Sequence, residues 1–492
     1  MTYFEKILVA NRGEVAIRVM RACRETGIGT VAIYSEADRN ALHVRYADEA
    51  LSVGPAPSAK SYLNIERILD VAVKTGAEAV HPGYGFLAEN PVFAKACDEA
   101  DVVFIGPSWK TIEAMGSKIG SKRLMQSAGV PVLPGTPDGI DDPEAAQEIA
   151  REIGYPVIVK ASAGGGGIGM QIVEDEPALA GAIEATQRHA ASSFGDPTVM
   201  LEKYLVKPRH IEVQVFGDDH GHTVHLFERE CSIQRRHQKL VEESPCPIMT
   251  PELRERMTAS AVAAARACDY VNAGTVEFLY ADGEYYFMEM NTRLQVEHTI
   301  TELVTGVDIV RQQLAVAAGD PFEFGQDDLA IRGHAIECRI NAEDPLNNFQ
   351  ATPGKILRYR SPGGPGVRLD SGVHQGYSIS PYYDSMISKL CTWGMSRDKA
   401  IERMRRAISE YVILGVKTTL PLHYALMVNR HFVAGETHTH FLSEPHIQKS
   451  LLPALREEEA RMQTLASSLR QPKEVAAISA ALGAYLGTRP PG

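Results

Sequence analysis

The sequence predicts a mixed α/β and α+β protein: a parallel-sheet unit first, an α+β middle, and a mostly β third part with late helices. Three observations carry this expectation. The first hundred residues alternate short β-branched runs with helical patterns, the middle third strings strands around a single glycine run, and from Ile331 short strand patterns broken by proline–glycine turns take over. The length of 492 residues has room for about three domains.

In chain order, KILVA, TVAIY, AEAVH and VVFIG read as strands, and EVAIRVMRACRET and PVFAKACDEA as helices between them. This is βαβ grammar and implies a Rossmann-like parallel sheet with helices on both faces. The first turn is NRGE and lacks GxGxxG, so dinucleotide binding is not indicated there. A helix-rich stretch from Ile112 to Ala128 leads into VPVLPGTPDG, whose prolines and glycines mark a linker. Next come the strand YPVIVKAS, the glycine run, the strand MQIVE and a helix from about Glu176 to Ala191. Strands follow at TVMLEKY, HIEVQVFGD and HTVHLFERE, then a helical stretch around Pro251 to Cys268 and the hairpin TVEFLYADGEYYFMEMN. AIECRINAED and KILRYRSPGGPGVRLDS supply later strands, Lys399 to Tyr411 a helix, and after Pro445 the charged tail REEEARMQTLASSL runs on to VAAISAALGAYLGTRPPG.

The composition narrows the function classes. A net charge of −12 leaves no electrostatic footprint for nucleic acid, and no apolar stretch is long enough for a membrane-spanning helix. The start, MTYFEKILVANRGE, has no secretion-signal pattern, so the cytoplasm is the expected compartment. Seven scattered cysteines without a CxxC pair fit reduced core thiols better than disulfides or a zinc site.

The segment EMNTRLQVE puts Glu289, Asn291, Arg293, Gln295 and Glu297 at every second position, one face of an extended strand. A solvated edge strand also alternates, but such edges carry Lys, Thr and Ser. Two carboxylates, two amides and a guanidinium after the apolar run Tyr285 to Met288 look like a site.

Gly164 to Gly169, GGGGIG, satisfies GxGxxG, yet MQIVE continues it as a strand where a nucleotide-binding turn must open a helix. A glycine-rich hairpin instead makes a flap whose N–H groups, at Gly165 and Gly166 among others, can close over phosphates, with Lys160 just before it in reach of them. Lys118, in EAMGSKIGSK, is a second lysine candidate that carries little weight alone. LEKYL, from Leu201 to Leu205, resembles a strand running into a linker whose backbone could read a purine edge. Downstream lie His210 and the run Gln234, Arg235, Arg236, His237, Gln238, Lys239, which without interleaved aromatics does not suggest nucleic acid.

Glu277 and Glu289 lie on the two arms of one hairpin. A two-residue turn at Asp282–Gly283 would put Glu277 opposite Met288 and the glutamates on opposite faces; a three-residue loop, Asp282 to Glu284, sets Glu277 across from Glu289. The three-residue loop is predicted, because a carboxylate pair beside Asn291 would suit Mg²⁺ and phosphate.

These residues resemble the ATP-grasp ligases, and the strings ANRGE, HPGYGF, RRHQK, EMNTRLQVEH, RGHAIECRINAED and PYYDSMISKL are similar to biotin carboxylase in particular, over about Lys6 to Glu444. The resemblance implies an N-terminal biotin carboxylase domain (1–115), a central ATP-grasp domain (116–330) with a flap subdomain at about 132–205, a mostly β C-terminal biotin carboxylase domain (331–445), and a helical tail (446–492). It also implies a reaction: carboxyphosphate is made from bicarbonate and MgATP (or the Mn²⁺ form), and a ureido nitrogen of biotin on a carrier protein is then carboxylated.

By matched position, Lys118, Lys160, Gly165, Gly166, Glu202, Lys203, Tyr204, Leu205, His210, Gln234 and His237 would hold ATP. Glu277, Glu289 and Asn291 would hold the metals. Lys239, Arg293 and Val296 would position bicarbonate, with Glu297 as general base and Gln295 as a positioning residue. Arg293 would also stabilise the biotin enolate, assisted by Arg339 and Tyr84. These residue types suit the chemistry: bicarbonate needs a base, phosphoryl transfer needs cations, and an always-charged arginine suits an enolate.

One departure is Ile168, where many bacterial members have Arg, in a run that here has Ala163 for one glycine. No AMKM-like biotin-accepting string and no carboxyltransferase domain is visible, so biotin is expected on a partner chain. The tail resembles that of the biotin carboxylase component of two-subunit pyruvate carboxylases; an acetyl-CoA or propionyl-CoA carboxylase is the alternative. A homodimer through the third domain and the first helix, near Arg21 and Glu25, is also implied. Carboxylate–amine ligation stays a rival on the same scaffold; carbamoyl phosphate synthesis would show two copies of the ATP module, and a non-catalytic sensor should have lost one of Glu277, Glu289, Arg293 or Glu297.

Overall fold

A computed structural model describes residues 4–136, 139–140, 143–161, 170–322 and 324–468. The βαβ opening forms a five-stranded, all-parallel sheet in the order Glu49–Gly54, Gly29–Ser35, Lys6–Val9, Ala79–His81, Val103–Phe104. Its central strand feeds the helix Gly13–Glu25, which buries Val15, Ala16, Val19, Met20 and Cys23. Glu14 and Arg18 are carried inward on the same helix. The stretch from Ile112 to Ala128 divides at Ser117 into the helices Trp109–Gly116 and Lys118–Ser127, because the Ser117 side chain accepts from the Gly120 N–H and caps the second.

The strands Met170–Val173, Val157–Ala161 and Val199–Lys203 make a small antiparallel sheet. The glycine run, with Gly165, Gly166 and Ile168, and the end of the tail after Ser468 lie outside the described residues.

The largest sheet has eight strands, in the order Glu284–Asn291, Asn272–Ala281, Arg209–Gly217, Thr223–Arg235, Gln238–Ser244, His334–Asn341, Met386–Gly394, Val367–Ser371. It runs through the expected 330/331 boundary, since Gln238–Ser244 pairs antiparallel with His334–Asn341. Apolar side chains of its last strands pack on the helices Arg397–Glu410 and Leu420–Val428 and on the tail helix Pro445–Ser468. No helix among the described residues is long and apolar enough to cross a membrane. All seven cysteines are free, six of them buried.

Three wholly buried histidines, His43, His81 and His423, are pushed down to about 4, chiefly by burial. They stay neutral in the fold but protonate near pH 6.5 once unfolded, so their contribution is intact above that pH and is lost as the pH falls toward 4. At pH 5 each costs about 2 kcal/mol of stability. Thermal melts between pH 7.5 and 4.5 are expected to show a Tm that drops steeply below pH 6.5, a result that a flat profile would contradict.

Candidate active site

The alternating segment does not remain a strand. Pairing ends at Asn291, and residues 292–297 turn into the helix His298–Thr305, of which Glu297 is the N-terminal flanking residue. The five polar side chains still converge. Asn291 Nδ2 and Gln295 Nε2 donate to Glu277 Oε1 at 2.8 and 3.0 Å. Arg293 spreads over Asn291 Oδ1 (2.8 Å), Gln295 Oε1 (2.7 Å) and Glu89 Oε2 (3.1 Å). The supporting apolar run is buried at Tyr285 and Phe287 but not at Met288, which is exposed.

The predicted three-residue loop is corrected. Asp282 and Gly283, with φ of 53° and 88°, form a two-residue turn, and Tyr280 faces Tyr285. This is the Asp-Gly turn whose twist suits a hairpin. A β-bulge then shifts the register: Phe278 faces Phe287, but Glu277 faces Glu289, with Met288 as the extra residue. The bulge sits where the outer edge of the strand is engaged, because the Phe287 N–H donates to the Pro131 carbonyl and Val132 bridges Phe287. The glutamates therefore face each other as expected, through a different device.

The row extends further. Glu277 faces Glu212 on the next strand, and Glu212 faces Arg229 on the one after. Like charges directly opposite one another repel, so three carboxylates in a row demand cations. Lys239 supplies one: its ammonium lies 2.5 Å from Glu212, 2.8 Å from Glu277 and 2.7 Å from Glu297. Arg229, fully buried, holds Glu212 at 2.6 Å and also donates to Gln214, Thr301 and Thr275. His210 Nε2 lies 2.9 Å from Glu277, and its Nδ1 is 3.4 Å from Gln234 Nε2.

Glu297 lies between Lys239 and Arg339 Nη2 (2.9 Å), while Arg339 Nε donates to Glu242 at 2.6 Å. Burial works against ionisation of Glu297, but Lys239, then Arg339 and Arg229, hold it well below the usual carboxylate range. Lys239 itself is held well above its ordinary value by the same three glutamates, against burial. Glu289 keeps part of its side chain exposed, has no ion-pair partner among the described residues, and is pushed up by desolvation of its carboxyl and by the charge of Glu277.

Lys160 lies 2.5 Å and Lys122 3.2 Å from the buried Glu202. Lys118 opens its helix nearby, its ammonium disfavoured by burial and by Lys160. Lys203 points away from this group: its ammonium holds the carbonyls of Gly154 and Tyr155. Tyr204, whose hydroxyl reaches His440 at 3.3 Å, and the half-buried Leu205 follow the strand. His237 is not brought into the cluster; it stands exposed at a hairpin tip with φ of 65°. Tyr84 donates its hydroxyl to Glu14, and the Val296 carbonyl accepts from Lys389.

Sequence reasoning missed Glu212, Arg229, Lys122, Glu89 and Glu242. Glu212 was within reach: in HIEVQV it shares the strand face of His210 and Gln214.

Known proteins match this arrangement over nearly its whole length. Residues 3–112 match the family described as biotin carboxylase, N-terminal domain, residues 117–324 the carbamoyl-phosphate synthase L chain, ATP binding domain, and residues 337–444 the biotin carboxylase C-terminal domain. A pyruvate carboxylase subunit of Methanothermobacter thermautotrophicus is 62% identical over 489 residues, 99% of each chain. Biotin carboxylase 1 of Bacillus subtilis is 55% identical over 440 residues, 89% of this chain and 98% of that relative. Among solved structures, the biotin carboxylase domain dimer of Hydrogenobacter thermophilus 2-oxoglutarate carboxylase, in complex with MgADP, ADP and bicarbonate, aligns with a TM-score of 0.86 at 51% identity, covering 91% of this chain and 99% of that one. Identity above one half along most of the sequence, with both biotin carboxylase domains flanking one ATP-binding segment in order, means that the chain belongs to the biotin carboxylase family of ATP-dependent, ATP-grasp ligases.

Proposed function

We propose that this chain is the biotin carboxylase component of a two-subunit pyruvate carboxylase, carboxylating biotin on a separate carrier chain with MgATP and bicarbonate. The observation that carries the reading is the row Glu289–Glu277–Glu212, met by Lys239 and continued through Glu297 to Arg339. Lys118, near enough to Lys160, Glu289 and Glu202 to feel all three charges, links the phosphate-side cations to that row.

A divalent cation fits the residues present. Glu289 faces Glu277 on one sheet face without a cationic partner among the described residues, and Asn291 and His210 flank the pair. The oxygens of Glu277, Glu289 and Asn291 are hard donors that suit Mg²⁺ or Mn²⁺. When bound, the cation would neutralise phosphoryl oxygens of ATP.

The chain's own groups do the rest. Lys118 and Lys160 meet phosphate charge, and Glu202 to Leu205, with His210, Gln234 and His237, hold the nucleotide. Gly165 and Gly166 belong to the same reading, though they lie outside the described residues. Bicarbonate enters between Arg293, Lys239, Arg339 and the Val296 backbone. An anion there competes with Glu297 for Lys239 and Arg339, which raises the proton affinity of that carboxylate as a proton becomes available to it. Glu297 takes the bicarbonate proton, and the freed oxygen attacks the γ-phosphorus to give carboxyphosphate and ADP. Carboxyphosphate then splits into CO₂ and phosphate, the phosphate takes the ureido N–H proton of biotin, and the enolate so formed, faced by Arg293 and Arg339 with Tyr84, attacks CO₂ through its nitrogen to give carboxybiotin.

Pyruvate as final acceptor is supported by the tail. The M. thermautotrophicus pyruvate carboxylase relative aligns through 489 residues, whereas the B. subtilis biotin carboxylase aligns through 440 and is spanned almost completely by them. An acetyl-CoA or propionyl-CoA enzyme is the other reading. The chain is read as a cytoplasmic homodimer with Arg21 and Glu25 near the contact; the domain dimer of the Hydrogenobacter thermophilus relative supports the dimeric state.

The test is ATP cleavage with bicarbonate present or absent, with and without free biotin. We expect cleavage that requires bicarbonate, rises with biotin, stops in EDTA and returns with Mg²⁺ or Mn²⁺. Cleavage indifferent to bicarbonate and biotin would reject the reading. Oxaloacetate formation on adding pyruvate with the co-purifying carrier chain separates the acceptors.

A further inference from the structure

We propose that Lys389, acting with Glu14, is a positioning residue for the bicarbonate and biotin end of the site; the inference rests on the biotin carboxylase reading above. Lys389 lies on the strand Met386–Gly394, directly across from Arg339 on one side and Asp370 on the other. Its side chain is 0% exposed. A buried ammonium is costly unless its donors are used, and here one goes to a main-chain oxygen: Nζ lies 2.9 Å from the Val296 carbonyl. That carbonyl belongs to the peptide that leads into Glu297, so Lys389 sets the turn on which the base is mounted.

The remaining contacts lead to the opposite wall. Lys389 Nζ lies 3.3 Å from Glu14 Oε2 and 4.0 Å from Asp370. Glu14 Oε1 accepts from the Tyr84 hydroxyl, and the ammonium stands 5.7 Å from the centre of the Tyr84 ring. The backbone that carries Glu14 is held, because Gly13 and Glu14 pack directly on Gly372, where a Cβ would come within 2.7 Å of the Glu14 nitrogen. One buried ion pair therefore joins the Val296–Glu297 turn, the Tyr84 segment and the strand that carries Arg339. None of these contacts reaches Lys118, Lys160 or Glu202, so the nucleotide end is untouched.

The experiment compares wild type, Lys389→Met, and Glu14→Gln/Lys389→Met in the bicarbonate-dependent, biotin-stimulated ATP cleavage assay, with thermal melts of each. Lys389→Met alone strands Glu14 and takes a cation from Glu337 and Asp370, which also face the ammonium, and is expected to lower the Tm; removing the Glu14 charge as well relieves the part of that penalty that belongs to Glu14. The expected result is a double variant with its Tm returned toward wild type, a KM for ATP within about 2-fold of wild type, and kcat/KM for bicarbonate and for biotin down by roughly 10-fold or more, as for a misplaced reacting group. If the refolded double variant regains wild-type kinetics, or if ATP, bicarbonate and biotin parameters all decline together, Lys389 is a structural residue and the inference is overturned. Wild type itself failing to cleave ATP in response to bicarbonate and biotin would reject the biotin carboxylase reading, a failure visible before any variant is measured, and would take this inference with it.

Discussion

Replacing Glu297 by Gln is expected to cut bicarbonate-dependent ATP cleavage by about 10²-fold or more, the range of a lost general base. The side chain is fully buried and keeps its volume in the variant, so the loss would come from chemistry. Two donors, Lys239 Nζ and Arg339 Nη2, point at its two oxygens. A glutamine offers one oxygen and one NH₂, so one of those donors also loses its acceptor. Steady-state rates with saturating ATP and bicarbonate, beside melts that report the fold, check this. A folded Glu297→Gln protein with a wild-type rate would remove Glu297 from the role of base.

Lys239→Met is expected to be costly to both fold and activity. The ammonium is the shared partner of Glu212, Glu277 and Glu297, all buried. Breaking a buried pair leaves uncompensated charge at roughly 3–5 kcal/mol, and three carboxylates that close cannot all stay ionised. Their proton affinity rises in the folded variant, so the penalty grows with pH: relative to wild type, the variant is expected to lose more stability at pH 8 than at pH 6. Denaturant unfolding at the two pH values measures it. Equal losses at both would mean that solvent or other cations already satisfy the cluster. Catalytic activity should be absent at either pH, since Glu277 and Glu297 lose their placement together.

The legible part of the site is what strand periodicity and local chemistry control. Glu289, Asn291, Arg293, Gln295 and Glu297 were readable as a set because period-two spacing is a local property, and they meet in the structure even though the strand ends at Asn291. The hairpin was half legible. The Asp-Gly pair signals a two-residue turn, and the chemistry signalled facing glutamates; the two are compatible only through a bulge at Met288. That bulge accompanies contacts of Phe287 with Pro131 and Val132, far away along the chain, so no local window contains it. His237 shows a limit of local reading: it sits in a dense polar run, yet a tight turn with positive φ holds it exposed and apart from the carboxylate cluster.

By itself, then, the sequence determined the parallel opening sheet, the carboxylate pair, the polar segment from Asn291 to Glu297 and the family, because these are written in periodicity, residue type and long matched strings. Only the tertiary structure decided that Glu212 completes a row of carboxylates, that one ammonium at Lys239 holds three of the glutamates, and that Lys389 and Glu14 join the Val296–Glu297 turn to Tyr84. The physical reason is the same in each case. A buried charge is stable only where partners from distant segments meet it at hydrogen-bonding distance, and that meeting is fixed by sheet register and packing across the whole chain.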